Sequence, residues 1–431
     1  MNDIIELRNG KYLYMCDYNR LINAEIKDRF LAQADDQKLE LYDIEPTEYL
    51  VRKKVGDLSM ITLEVTQQCN LRCKYCVYNN NYDHYRPFTT EAMTWETARK
   101  AIDYAYSLVE EKEEKRFNIG FYGGEPLLNR EVIRKGVEYG KKRFNGWDLN
   151  FNMTSNLTTL DLDILQFIID NNFSLSVSLD GGQEIHDAKR VFAGGAGTFT
   201  TVMKHLELIR KTDREFFEKK VNLTAVHALD LPFENVWRFF ESNDLLKEKS
   251  VRLSNVNQLN THYYDKYSWD PQTKAREFND FDEKILSKLR KHETLTPLET
   301  FINNSVIFSS EYLKYRSFST LAQTCLFDSR LYIDAGGGLH ICERMNNAFP
   351  IGDLEHGLDF ANMSRILKDF ASLIKSRCST CDIRFLCNRC FASLAADGTF
   401  EIPDKFCEGQ RKSAIKHLEK YILIQEEGLD Q

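Results

Sequence analysis

Residues 60–78 read MITLEVTQQCNLRCKYCVY, and this stretch decides the architecture. Its first half, Ile61–Thr66 (ITLEVT), is β-branched and of strand length. Its second half sets Cys69, Cys73 and Cys76 in the spacing C-x3-C-x2-C, on a short loop at the strand end. Downstream, Phe117–Tyr122, Leu149–Thr154, Leu175–Leu179, Val221–Val226 and Val251–Leu253 repeat the strand signature. Amphipathic helical stretches separate them. Thr94 is placed to cap a helix whose apolar face is Trp95, Ala98, Ile102, Ala105 and Val109. Others cover Arg130–Phe144, Leu160–Asn171, Thr200–Lys211 and Phe233–Asn243. Repeated strand–helix units predict an α/β fold with a parallel sheet and right-handed crossovers. Six such units make a partial (β/α)6, TIM-like barrel, with the active face at the C-terminal ends of the strands.

Outside that run the pattern changes. Residues 1–58 hold short apolar runs, among them Tyr12–Cys16 and Leu39–Ile44, that read as two or three strands plus a helix near Ala24–Ala34. Residues 59–255 form the barrel core, 256–320 a polar, aromatic helical bridge, and 321–431 a segment dominated by cysteine and glycine. The formal net charge of −8 argues against nonspecific nucleic-acid binding. No run of about eighteen apolar residues offers a membrane span. The first residues, MNDIIELRNGKYLYMCDYNR, lack a basic-then-apolar targeting pattern, so the expectation is a cytoplasmic protein.

In a reducing cytosol the 11 cysteines are metal ligands or catalytic groups more readily than disulfides. Cys16 stands apart and reads as a buried, inert thiol. The other ten form an early group of three and a late group of seven: Cys325, Cys342, Cys378, Cys381, Cys387, Cys390 and Cys407. Three thiolates on one tight loop can ligate three irons of a [4Fe–4S] cluster and leave the fourth iron open. The competing reading is a zinc knuckle, for which His84 is the local candidate as fourth ligand.

Four segments carry a family resemblance. They are the C-x3-C-x2-C loop, Phe121–Pro126 (FYGGEP) closing the second strand, Thr154-Ser155-Asn156 ending the third, and Ser176–Gly181 (SVSLDG) ending the fourth. Together they resemble the radical S-adenosylmethionine (SAM) superfamily. The resemblance implies that Cys69, Cys73 and Cys76 hold the cluster whose open iron binds SAM. It places Tyr75 near the adenine, has Gly123 and Gly124 admit the methionine moiety, and pairs Glu125 with the ammonium. It further assigns Asn156, Ser178 and Arg190 to SAM contacts, with Ser178 and Asp180 pointing to the barrel mouth. His186 and Asp187 read as turn and capping residues. Gly194–Gly197 (GGAG) lacks the following Lys-Ser/Thr of a phosphate loop and reads as a flexible lead-in to the next helix.

Gly337 lies five residues before Cys342, and Cys378, Cys381, Cys387 and Cys390 read C-x2-C-x5-C-x2-C. This resembles the SPASM extension of radical SAM peptide-modifying enzymes, which holds two auxiliary [4Fe–4S] clusters. The resemblance implies three [4Fe–4S] clusters in all. Cys378, Cys381, Cys387 and Cys407 would hold one auxiliary cluster, and Cys325, Cys342 and Cys390 the other. Two departures stand out. The last gap is x2 where x3 is common, and Ser317, Ser319 and Thr320 occupy a region where a further cysteine is common. The Cys325 set then has three thiolates and a fourth iron that is open or takes another ligand. Glu343 follows Cys342, at a point where related sulfatase-maturing enzymes place an acidic base. Its other reading is a surface carboxylate paired with Arg344.

The function implied is reductive cleavage of SAM, hydrogen abstraction from a peptide carbon, and closure of a crosslink, foremost a cysteine thioether. The substrate would be a ribosomally made precursor peptide with a leader, and the electron donor a flavodoxin or ferredoxin. Residues 1–58 would present a hairpin that pairs with the leader by strand addition, or simply cap the barrel. The alternatives are a formylglycine-forming sulfatase maturase, a carbon–carbon crosslinker and, outside enzymes, a zinc-binding adaptor.

Overall fold

In the computed structural model the described residues are 4–6, 11–14, 20–23, 41–42, 45–82, 86–259, 261–311, 318–319, 327–344, 349–384, 386–387, 389–396 and 398–429. The helix expected near Ala24–Ala34, and Cys16, His84 and Cys325, lie outside them.

Before the barrel, β1 (Ile4–Glu6), β2 (Lys11–Tyr14) and β3 (Arg20–Asn23) form an antiparallel meander, and β4 (Leu41–Tyr42) pairs in parallel with β11 (Phe318–Ser319). A helix at Glu48–Gly56 went unforeseen, although its signals are ordinary. Thr47 Oγ1 accepts the Leu50 N–H, Glu48 sits in the first turn, and Lys53 and Lys54 sit in the last.

The six expected strands appear in order: β5 (Met60–Thr66), β6 (Arg116–Gly123), β7 (Asp148–Ser155), β8 (Ser174–Ser178), β9 (Val221–His227) and β10 (Val251–Asn255). Each is parallel to the next in sequence, which gives an open six-stranded run. Thr94 caps the helix Trp95–Val109 as expected, its Oγ1 accepting the Thr97 N–H, and Ala98, Ala101, Ile102, Ala105 and Val109 are buried on one face. On the outer side of the sheet lie Ile61, Leu63, Ile119, Phe121, Phe151, Met153, Leu175 and Val177, all within one continuous hydrophobic core. Helices Arg130–Arg143 and Leu162–Asp170 cover the same side.

The sheet continues beyond its sixth strand. β12 (Leu331–Ile333) adds in parallel beside β5, Leu331 opposite Ile61 and Ile333 opposite Leu63. From it β13 (Gly338–His340), β14 (Gly352–Asp353) and β15 (Gly357–Leu358) run antiparallel, which makes one ten-stranded sheet. The sequence pattern alone placed a break near residue 321. Strands of two or three residues carry too little periodicity to announce that they join a sheet laid down 270 residues earlier. The bridge is helical as expected, in Tyr263–Lys266, Pro271–Arg290 and Pro297–Glu311. Among the described residues no helix is long and apolar enough to cross a membrane.

The joint between β5 and β12 is held by a buried charge. Glu64 is wholly buried; its Oε1 accepts from Arg86 Nε at 2.8 Å, and Oε2 accepts from Gln67 Nε2 at 3.0 Å and the Ala335 N–H at 3.3 Å. The Arg86 guanidinium lies over the Tyr78 ring, 3.8 Å from its centroid. Removing one partner strands the other in low dielectric, which costs about 3–5 kcal/mol. Glu64→Ala is therefore expected to lose about that much in urea denaturation, whereas Arg99→Ala, whose ion pairs are on the surface, is expected to lose under about 1 kcal/mol.

Candidate active site

The cysteine loop leaves β5 at an irregularity. Register with β6 shifts between Glu64 and Thr66, as at many active-site strand ends. The loop is then fixed on both flanks. On one side the Gly124 N–H donates to Thr66 O and the Glu125 N–H to Gln68 O, each at 2.8 Å. On the other, the Arg72 N–H donates to Val191 O and the Lys74 N–H to Lys189 O, at 2.8 and 2.9 Å.

The glycines of FYGGEP are needed for this contact. A Cβ on Gly123 would lie 2.1 Å from Thr66 O, and one on Gly124 would lie 2.0 Å from Gln68 O. Gly123 also has φ +144°, which side chains rarely adopt. The demand for glycine thus comes first from the protein's own backbone rather than from an approaching ligand. Glu125 differs from expectation in the same way. It is 1% exposed, and its carboxylate accepts from Ser155 Oγ at 2.7 Å, the Asn156 N–H at 2.7 Å and the Leu127 N–H at 3.1 Å. It ties β6 to the end of β7. Burial pushes its pKa from an ordinary 4.5 up to about 7, against those three hydrogen bonds, which lower it.

Asp180 is also internal rather than open at the mouth. It is 1% exposed; Oδ2 accepts from Arg190 Nε at 2.9 Å and from the Tyr75 hydroxyl, and Oδ1 accepts the Val226 N–H at 2.9 Å. Arg190 lies 5.4 Å from the Tyr75 ring centroid and 4.0 Å from Cys73 Sγ. Burial alone would weaken its charge, but Asp180, Tyr75 and Cys73 hold it firmly cationic. Asp187 is a cap, as read: Oδ1 accepts the N–H groups of Thr198 and Phe199, at 2.7 and 2.9 Å, where helix Phe199–Thr212 begins. His186 braces the turn through Thr198 Oγ1 at 2.9 Å, and burial lowers its pKa to about 4.

The cysteine loop, the glycine edge and Arg190 meet at one cavity of about 820 Å³, within the usual range for small-ligand sites. Its wall includes Cys69, Cys73, Cys76, Tyr75, Gly123, Gly124, Glu125, Asn156, Ser178 and Arg190. Glu343 lines it too, from the turn after β13, paired with Arg330 Nη1 at 3.2 Å rather than standing on the surface. The inner face of the strands adds Thr62, Asn152, Thr154, Ser176, Asn222, Thr224, Arg252 and Ser254. Apart from Thr154 and Ser176, which belong to the segments quoted for the resemblance, these even-numbered positions were passed over in the sequence, though the polar alternation in NFNMTS and SLSVS signals them. Tyr122 and Arg330 were missed as well, since only the β12 pairing brings Arg330 and Glu343 to the barrel.

Burial pushes the Cys69 and Cys73 thiols up to about 12 and raises Cys76, so metal binding here would displace protons. Among the described residues no three His, Cys, Asp or Glu side chains converge on a single-ion site. Zinc needs its sulfurs within about 2.3 Å of one point. A cubane gives each thiolate its own iron, and three thiols of one short loop at the wall of a cavity suit three of its four irons. In the late group, Cys378, Cys381, Cys387 and Cys407 are mutual electrostatic neighbours. Cys342 follows β13, and Cys390 precedes the short helix Phe391–Leu394.

Residues 63–230 match the Radical SAM superfamily. A cysteine-type anaerobic sulfatase-maturating enzyme of Clostridium novyi is 28% identical over 191 residues, which is 43% of this chain and 49% of that enzyme. The radical SAM cyclopropyl synthase TigE of Paramaledivibacter caminithermalis is 22% identical over 209 residues, 47% of this chain and 43% of that protein. The chain spans about half the length of the curated relatives it matches. Native anSMEcpe with bound AdoMet and Cp18Cys peptide shares the fold, with a TM-score of 0.61 at 18% identity over 86% of this chain and 99% of that one.

The raised Glu125 pKa has a definite sign. A carboxyl whose folded pKa exceeds its unfolded value stabilises the fold fully below about 4.5, and that contribution is lost as pH rises through about 7. Between about pH 5 and 8, the metal-free chain is expected to lose on the order of 3 kcal/mol more stability than Glu125→Gln, read by chemical denaturation at each pH.

Proposed function

We propose that this chain, a radical SAM superfamily enzyme homologous to the anaerobic sulfatase-maturating enzymes, acts on a ribosomally made precursor peptide and closes a crosslink at a cysteine sulfur. The observation that carries the peptide reading is the inner wall of the cavity. Hydroxyl and amide side chains on five of the six barrel strands line, with the cysteine loop, a space of about 820 Å³. Such a wall matches the repeating N–H and C=O groups of an extended chain better than it matches an apolar substrate.

Cys69, Cys73 and Cys76 would hold the cluster, and the edge formed by Gly123, Gly124 and Asn156 would hold SAM, with Ser178, Arg190 and Tyr75. When bound, this pair supplies a 5′-deoxyadenosyl radical that takes a hydrogen atom from an unactivated carbon. The protein's part is placement and protection. Glu125 and Asp180, each fully engaged by internal donors, fix the strand ends that carry the site. Glu343 would accept the proton released by the substrate; its position at the cavity wall beside Arg330 supports that role. Support for a thioether comes from ligand counting. By the resemblance, Cys325, Cys342 and Cys390 would be three thiolates for one auxiliary cluster, which would leave an iron for the peptide's own sulfur. The second reading, formylglycine formation, draws on the named relatives and places Glu343 in the same role.

The test is anaerobic incubation of the cluster-loaded chain with SAM, dithionite and a candidate cysteine-containing peptide, read by mass spectrometry. The expected result is 5′-deoxyadenosine together with a peptide lighter by two hydrogens and one alkylatable thiol fewer. A peptide carrying an aldehyde instead selects formylglycine formation. Cys73→Ala is expected to abolish deoxyadenosine formation, and Glu343→Gln to lower turnover about 10²–10⁴-fold, as for loss of a general base. Deoxyadenosine formed equally with and without any peptide would refute the peptide reading.

A further inference from the structure

Arg389 is the largest fully buried side chain among the described residues, 1% exposed, and lies in the sequence Cys387-Asn388-Arg389-Cys390. Burial weakens the charge of its guanidinium, and the groups that favour that charge are Cys387, Cys378 and Cys381, so the side chain lies among these three thiols. Cys378 and Cys387 are themselves 9% exposed. A guanidinium does not lose its proton, and burying one costs several kcal/mol unless anions surround it. Packing gives no reason for arginine here, since an apolar side chain of similar length would fill the volume without that cost. Nearby Asp382 is engaged elsewhere, by Arg411.

Four thiolates around a [4Fe–4S] core carry net negative charge, and reduction adds one more. A fixed cation within the same low-dielectric pocket favours the more negative state, and a hydrogen bond to a ligand sulfur acts in the same direction. We propose that Arg389 is a positioning residue for an iron–sulfur cluster held by Cys378, Cys381, Cys387 and Cys407. It orients Cys378 and raises the cluster's reduction potential, so that the cluster serves as an electron acceptor. The inference rests on the reading of those four cysteines as one ligand set.

The experiment compares wild type, Arg389→Lys, Arg389→Gln and Cys387→Ala, each loaded anaerobically with iron and sulfide. Iron is counted per chain, and midpoint potentials are read by potentiometric titration followed by electron paramagnetic resonance. Cys387→Ala should lose one cluster's iron and one signal, which identifies the signal to follow. If its iron content and all of its signals are unchanged, the ligand set itself is wrong. Given that loss, Arg389→Gln should keep the iron but move the identified signal to a lower potential, while Arg389→Lys stays nearer to wild type. An unchanged midpoint in Arg389→Gln overturns the proposal. If Arg389→Gln cannot hold the cluster, Arg389→Lys decides: retention of the cluster supports the role of charge, and loss in both assigns Arg389 to packing alone.

Discussion

Two backbone hydrogen bonds of 2.8 Å, from Gly124 to Thr66 and from Glu125 to Gln68, hold the cysteine loop against the second barrel strand. Nothing larger than glycine fits at 123 or 124, because the backbones approach closer than any Cβ allows. The close approach also drives Glu125 into the protein, where its carboxylate receives Ser155 and the Asn156 N–H and so fixes the end of the third strand. On the far flank, Asp180 ties Arg190, Tyr75 and the Val226 N–H together and fixes the fourth and fifth. Each strand end is positioned by the one before it, so three thiols, a glycine edge and an arginine face one space without any of them resting on a free loop.

The alternation of strand side chains divides the sheet into two chemistries. Odd-numbered positions such as Leu63, Phe121, Met153 and Val177 are buried beneath the helices. Even-numbered ones such as Thr62, Asn152, Ser176 and Thr224 line the cavity. The apolar side makes the barrel stable, since each buried Leu or Phe contributes about 1.5–3 kcal/mol. The polar side is therefore free to be chosen for recognition. A reactive radical also needs a wall that does not shift, and the buried charges nearest the mouth, Glu125, Asp180 and Arg190, are each held by hydrogen bonds to rigid strand ends.

The barrel was legible because its signals are local. A β-branched run, a Thr cap and an apolar stripe every three or four residues each fit in a window of a dozen residues, and the strands fell within one or two residues of their expected ends. The cysteine loop and FYGGEP were legible for the same reason. What escaped notice was non-local. Nothing near residue 331 states that Leu331 will pair with Ile61, and nothing near Glu125 states that its partners will be Ser155 and Asn156. Asp180 was read as pointing to the barrel mouth together with Ser178, two residues before it. Its burial follows from Arg190, ten residues on, folding back over Tyr75.

That non-local pairing matters most for the late cysteines. Had the chain after residue 321 been a separate body, the position of Glu343 relative to the cavity would depend on a linker. Because β12 is hydrogen-bonded to β5, the strand that launches the first cysteine loop, Cys342 and Glu343 are placed by the same sheet that places Cys69. Glu64 locks the joint through the Ala335 N–H and Arg86, with no water needed to satisfy the charge. Glu343 and the cysteine loop are then two parts of one rigid element. The geometry between them is set when the sheet forms rather than when the substrate arrives, and preorganisation of that kind is what a short-lived intermediate requires.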